Sequence, residues 1–386
     1  MTVYKNAKVV FRDKIRDCCV VTDGGKIIDI CDRFDGTAEA VDCGGLYLAP
    51  GFVDAHVHGG GGYSAMSSKP EDIVKMAKAH LAHGTTSIVP TTLAAPLSRL
   101  AEAVLSIKKA AETDGGRTIL GAHLEGPYIS LKYKGAQSAD NILNPNEQPP
   151  DEVLDLWDKI LMMGAAPECD GCLELGDKLL KRGIIASVAH SAASFEQVEE
   201  AARHGYSDVT HIYSACTACF KVGIFRVAGV VEAGLVRDDF STQAIADLRH
   251  LPVGVLKLIY KAKGAEKMYV ITDGLEFSAS NLRENEIYPQ ENGVGVIYED
   301  GVMKLADRSA LAGSVATLSD CVRNMYKTVG VPLYDAVRMA SQTPAEVLGF
   351  GKKIGKIEKG YDADLVIFDD DVNIKKVISK GTEITI

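Results

Sequence analysis

Eight short, almost wholly apolar runs recur along the middle of the chain, at 52–58, 87–90, 118–124, 159–166, 184–189, 208–210, 243–247 and 268–272. Each stops at a polar or turn-forming residue, and runs of this length read as strands buried on both faces. Helix-like segments such as Pro70 to His83 and Ser194 to His204 separate most of them. Eight strands alternating with helices predict an α/β chain built on a parallel (β/α)8 barrel of the TIM type. A second pattern frames the barrel. Val3 to Phe11, Cys19 to Ile30 and Ala40 to Leu48 alternate apolar and polar positions as half-buried strands do, with Asp23-Gly24-Gly25 as a hairpin turn. The tail from Asp364 to Ile386 has the same character. The two chain ends are therefore expected to pair into one small β-sandwich, made of 1–49 and 355–386, beside a barrel domain of 50–354. Thr343-Pro344-Ala345 is expected to begin the helix that precedes the return, with proline in the first turn.

The chemistry sits where the predicted strands end. In an extended strand side chains alternate faces, so His56 and His58 of Asp54-Ala55-His56-Val57-His58 share one face and make half a metal site. The glycine run Gly59 to Gly62 then lets backbone and substrate approach closely. Taken alone, the pair is equally two satisfied histidines at the end of a buried strand. Company decides the matter. Glu125 closes the third run, His190 the fifth, His211 the sixth and Asp273 the eighth. Imidazoles and carboxylates gathered at the carboxyl ends of barrel strands are the mark of that fold's active-site face.

Composition narrows the function. The chain has 386 residues, enough for a barrel plus a smaller domain, and a net charge of −10 that argues against a nucleic-acid partner. No charged-then-apolar signal segment opens the sequence, and no apolar run approaches the roughly 18 residues needed to cross a bilayer, so a cytoplasmic protein without a membrane partner is expected. Nine cysteines in a reducing compartment read as thiols. Cys169-Asp170-Gly171-Cys172 and Cys216-Thr217-Ala218-Cys219 have the spacing of structural zinc ligands, but thiols near the active site are the better reading, since the second pair follows the His211 strand so closely.

These residues carry a resemblance that spans almost the whole chain. Ala49-Pro50-Gly51-Phe52-Val53-Asp54 with His56 and His58, His123-Leu124-Glu125-Gly126-Pro127, Ala189-His190-Ser191, Thr210-His211-Ile212-Tyr213, Thr272-Asp273, Leu311-Ala312-Gly313-Ser314 and the stretch from Gly355 to Val366 resemble the amidohydrolase superfamily. Within it, the Leu-Glu-Gly-Pro segment is similar to that of the N-acetylglucosamine-6-phosphate deacetylases. The resemblance implies that Glu125, His190 and His211 hold one divalent ion and that His56 and His58, with Glu125 bridging and Asp273 nearby, hold a second. Zinc comes first among the ions, with iron, cobalt and manganese as alternatives. It implies that Asp273 is the general base and then the general acid. It also implies a homodimer with a shared pocket, in which Arg226 and His250 reach a neighbour's substrate.

The resemblance is imperfect around the substrate. Where the family has a histidine after Lys-Gly-x, this chain has Gln137, a neutral donor with less power over a developing oxyanion. Where the family has Asn-Ala after the Thr-His strand, this chain has Ser214-Ala215, and Glu276 follows Asp273 at a distance where a phosphate would be repelled. A different amino sugar, an N-acyl-amino-acid or a cyclic amide thus stand as alternative substrates, and a non-enzymatic binding module as a third reading that the full ligand set argues against.

Overall fold

A computed structural model describes residues 1–289 and 295–385 of the chain. The barrel strands are, in order, Phe52–Val57, Thr85–Thr92, Ala122–Glu125, Ile160–Ala165, Ile185–Val188, Tyr206–Val209, Ser241–Ile245 and Met268–Ile271. All seven neighbouring pairs are parallel and follow sequence order. The ring closes where Asp273 N donates to His56 O at 3.0 Å and His58 N donates to Gly274 O at 2.8 Å. Every predicted run is therefore a strand. The run pattern worked because these strands are covered by helices outside and side chains inside, so Phe52–Val57 and Thr85–Thr92 are buried at each position.

The helices follow equally simple rules. Pro70–Leu81 starts on its proline and buries Ile73, Met76, Ala77, His80 and Leu81, the spacing of one helical face. Phe195–Arg203 is opened by a capping box, in which Ser194 Oγ accepts from Gln197 N and Gln197 Oε1 accepts from Ser194 N. Gln342–Val347 carries Pro344 in its first turn. His80 donates from Nε2 to Gly59 O at 2.8 Å, and a Cβ on Gly60 would lie 2.5 Å from that nitrogen, so the glycine run is where a helix presses on the end of the His-x-His strand.

The chain ends join as one eight-stranded sheet. Its path runs from Thr382–Ile384 through Ile374–Ser379, Leu365–Phe368, Tyr47–Pro50, Thr2–Val10 and Ile15–Asp23 to Lys26–Cys31, with Glu39–Asp42 paired in parallel beside Thr2–Val10. The sheet curls until Lys26 bridges to Asp362, so strands distant in the path, contributing Tyr4, Val9, Ile27, Leu48, Leu365 and Ile378, share one core. Residue 386, which ends the expected tail, lies outside the described residues. Beside the short pairing of Gly59–Gly60 with Tyr63–Ser64, two larger elements were not foreseen. A hairpin, Phe220–Val222 with Phe225–Val227, follows the sixth barrel strand, and an antiparallel meander, Ile287–Pro289, Gly295–Glu299, Val302–Leu305 and Leu311–Gly313, follows the eighth. The meander brings Leu311 to Gly313 over the barrel mouth. No helix among the described residues is long and apolar enough to cross a membrane.

Candidate active site

Five of the eight strands deliver their polar termini to one point at the carboxyl end of the barrel. Glu125 is its centre. Its Oε1 lies 2.8 Å from His211 Nε2, 3.2 Å from His190 Nε2 and 3.5 Å from His56 Nε2, and its Oε2 lies 3.4 Å from His58 Nε2. Asp273 Oδ1 closes the other side, 3.1 Å from His58 Nε2 and 3.3 Å from His56 Nε2. His56 and His58 meet at 3.1 Å between Nε2 atoms. The ligand atoms fall into two groups, His56, His58 and Glu125, and Glu125, His190 and His211, each within 4.8 Å.

What surrounds each ring fixes its proton. Nδ1 of His58 faces Thr91 O at 3.1 Å, that of His190 faces Tyr133 O at 2.9 Å, and that of His211 faces Ser214 O at 3.2 Å. A carbonyl oxygen only accepts, so these nitrogens carry the proton and each Nε2 turns a lone pair inward. Nδ1 of His56 is placed against Gln243 Oε1 at 2.9 Å, with the same result. Four imidazole lone pairs and two carboxylates thus face one another in a buried space, acceptors against acceptors, which only positive charge can stabilise. The same demand is seen in the titration. Burial pulls His56 down to about 4. Burial acts on His58 too, but hydrogen bonds to Asp273 and Glu125 outweigh it and raise that ring to about 10. Burial opposes ionisation of Asp273 and Glu125, yet the neighbouring histidines lower Asp273 to about 2 and Glu125 well below the carboxylate range. In the metal-free chain a proton held by His58 supplies part of that positive charge; with a cation in its place, two ionised carboxylates and four imidazoles are the donor chemistry of a divalent transition-metal site, and the residues fit it.

Three of these residues sit in left-handed backbone: His190 with φ 46°, His211 with φ 27° and Asp273 with φ 48°. Such conformations are costly for side-chain-bearing residues and cluster at functional sites. Asp54, the buried acid of the same motif, locks the closing strands by accepting from Thr272 Oγ1 at 2.6 Å.

A cavity of about 480 Å³ opens above the ligands. Of the residues expected at the substrate, Gln137, Ser214, Ala215 and His250 line it. Gln137 is tied down on both sides, with Nε2 donating to Glu125 Oε2 at 2.8 Å and Oε1 accepting from Ala94 N at 3.0 Å. His250 lines the chain's own cavity, its Nδ1 set against Asp247 Oδ2 at 2.7 Å. The loop after the seventh strand is simply long enough to turn back over the mouth. Arg226 does not line this cavity; it is exposed on the hairpin. Glu276 does not line it either, because its backbone is drawn to the glycine run, with Gly62 N donating to Glu276 O at 2.8 Å. Lys132 and Tyr133 line the cavity without having been foreseen, since their loop carries no period or ligand spacing, and the nearness of Leu131-Lys132-Tyr133 to Gly126-Pro127 was the available signal; Tyr213, two residues beyond the ligand His211, lines it as well.

Comparison with known proteins agrees with this geometry. Residues 47–384 match the model of the amidohydrolase family. The N-acetylglucosamine-6-phosphate deacetylase of Vibrio furnissii is 31% identical over 371 residues, covering 95% of this chain and 90% of that protein. The N-acetylgalactosamine-6-phosphate deacetylase of Escherichia coli O157:H7 is 30% identical over 336 residues, covering 86% of each. The crystal structure of N-acetylglucosamine-6-phosphate deacetylase from Pasteurella multocida superposes with a TM-score of 0.92 at 27% identity, over 100% of both chains.

Proposed function

Since the chain belongs to the amidohydrolase family, we propose that it hydrolyses the acetamide of N-acetylglucosamine-6-phosphate, giving acetate and glucosamine-6-phosphate. The observation that carries the reading is the ring of inward lone pairs and carboxylates on the cavity floor. Glu125, His190 and His211 are the residues we assign to one divalent ion, and His56, His58 and Asp273, with Glu125 shared, to a second. Zinc is the first choice, and iron, cobalt or manganese suit the same donors. A divalent ion bound there lowers the pKa of water and withdraws electrons from an amide carbonyl.

The chain's own groups do the rest. Asp273, ionised at neutral pH, takes the proton of the attacking water and returns it to the departing amine, so one carboxylate serves as base and then acid. Gln137 gives one amide hydrogen to Glu125 and has a second for the acetyl oxygen, a neutral donor that stabilises less than an imidazolium. His250 and Lys132, the basic groups of the cavity beside the ligand histidines, are the partners for the phosphate, with Ser214 and Ala215 at the sugar. We further propose a cytoplasmic homodimer. The hairpin tip exposes Val222, Ile224 and Phe225, with Arg226 beside them, and an apolar tip of this kind suits a second copy of the chain.

A panel of N-acetylglucosamine, N-acetylgalactosamine and their 6-phosphates, with N-acetyl amino acids as controls, tests the substrate. The 6-phosphate of N-acetylglucosamine should give the highest kcat/KM, and His250→Ala should raise KM for the phosphorylated sugar at least about tenfold while sparing the unphosphorylated one. Preference for an acyl amino acid would remove the sugar reading.

A further inference from the structure

The seventh barrel strand, Ser241–Ile245, gives no ligand to the ring, yet its fully buried Gln243 touches one. Gln243 Oε1 is 2.9 Å from His56 Nδ1, and its Nε2 is 2.8 Å from Asp208 Oδ2. Asp208, on the sixth strand, is also fully buried. Three hydroxyls converge on the same carboxylate: Ser187 Oγ at 2.8 Å, Tyr269 Oη at 3.0 Å, and Ser241 Oγ. A carboxylate encircled by donors accepts only, so the amide must turn its N–H toward Asp208. Its carbonyl is then left for His56, whose Nδ1 must carry the proton. Inverting the amide would set carbonyl against carboxylate and hand an N–H to His56 Nδ1, leaving the proton on Nε2, where no metal can bind.

The partners of the other three ligand rings are backbone carbonyls of Thr91, Tyr133 and Ser214, which no side-chain change can reorient. His56 is the exception. We infer that Asp208 and Gln243 are positioning residues that fix the His56 tautomer and so make it a ligand. This rests on the reading that His56 and His58 take part in holding a second ion. Orientation of a ligand histidine by its outer partners is commonly worth 10–100-fold in metal affinity.

Two measurements separate this from a network that merely packs the barrel. In metal-free protein labelled with ¹⁵N-histidine, long-range ¹⁵N–¹H spectra should show His56 protonated on Nδ1, the resonance being assigned by its absence in His56→Asn. Asp208→Asn allows the amide to invert and Gln243→Leu removes it, so both should shift that tautomer population. Uptake of Zn²⁺ at buffered free concentrations, read by elemental analysis, should show the second ion bound about 10–100-fold more weakly in both variants, with the first unchanged. An Nε2–H tautomer in the wild type overturns the inference, and so do folded variants with unchanged tautomer and unchanged Zn²⁺ uptake. If the wild type saturates at one ion, the two-ion reading fails, and the wild-type spectrum alone then decides for or against Gln243. The same spectrum decides if the variants fail to fold.

Discussion

Replacing Asp273 by Asn isolates the proton transfer from the architecture around it. Asp273 has φ 48°, and Asn is among the few side-chain-bearing residues that enter this left-handed region readily, so the backbone of the eighth-strand terminus should hold. The hydrogen bonds from Asp273 N to His56 O at 3.0 Å and from Ser314 N to Asp273 O at 3.2 Å involve only main chain and persist. What is lost is the carboxylate, 3.1 Å from His58 Nε2 and 3.3 Å from His56 Nε2, and with it the acceptor for the water's proton and the donor for the amine. General acid–base assistance is typically worth 10²–10⁴-fold, so kcat should fall by at least about two orders of magnitude, or roughly 2.7 kcal/mol of barrier. The ion assigned to Glu125, His190 and His211 should stay, because those ligands come from other strands. The assay is amine release from N-acetylglucosamine-6-phosphate under saturating substrate, paired with elemental analysis of the same sample. A variant with near-normal kcat and metal retained refutes the assignment, and the base must then be sought among Glu125 and the ligand histidines.

Changing both Ile224 and Phe225 to Glu should convert a dimer to monomers in sedimentation equilibrium and reduce turnover of the phosphorylated sugar without altering metal content, whereas Arg226→Ala should raise KM and leave assembly intact; a fully active wild-type monomer contradicts both. Asp364 offers a pH test away from the metal. Burial raises its carboxyl from the ordinary 3.8 to about 6, so the folded state binds the proton more tightly than the unfolded chain does. Stability contributed by that proton is complete below 3.8 and lost as pH rises through about 6, a difference of roughly 3 kcal/mol from two pKa units. Asp364→Asn, which can still accept from Lys380 N, should therefore gain Tm over the wild type between pH 4 and 7 and hold the gain above, and a pH-independent difference would show that the carboxyl is not buried in this way.

The barrel could be read from the sequence because its strands are buried on both faces and therefore appear as unbroken apolar runs, and the ligands could be read because each ends a run. Polar residues within a run gave no such signal. Asp208 sits in a short strand and Gln243 in another, 35 positions apart, and only the closed ring brings their atoms to 2.8 Å. The hairpin at Phe220–Val227 and the meander from Ile287 to Gly313 escaped for a different reason. Their strands are three to five residues long with one face in solvent, and such segments look like loops.

The left-handed ligand residues were equally invisible in the sequence, and they allow one more test of how the site is built. At a strand end the chain must turn out of the barrel while the side chain stays over its axis, and the structure achieves this at His190 with φ 46°. The main chain holds the turn: Ser130 N donates to His190 O at 2.9 Å. A left-handed residue with a Cβ carries about 1–2 kcal/mol of steric cost that glycine avoids, whereas in ordinary extended or helical backbone glycine is the worse choice by roughly 0.5–1 kcal/mol. His190→Gly and His190→Ala both delete the ligand, so their difference reports the backbone alone. In metal-free protein the Gly variant should be the more stable by about 1 kcal/mol in urea unfolding. His123, buried in the strand Ala122–Glu125 without a positive φ, supplies the control, and there the Ala variant should be the more stable. If Ala wins at His190 as well, the turn is not strained, and the ligand is held over the axis by its contacts with Tyr133 O and Glu125 rather than by the backbone.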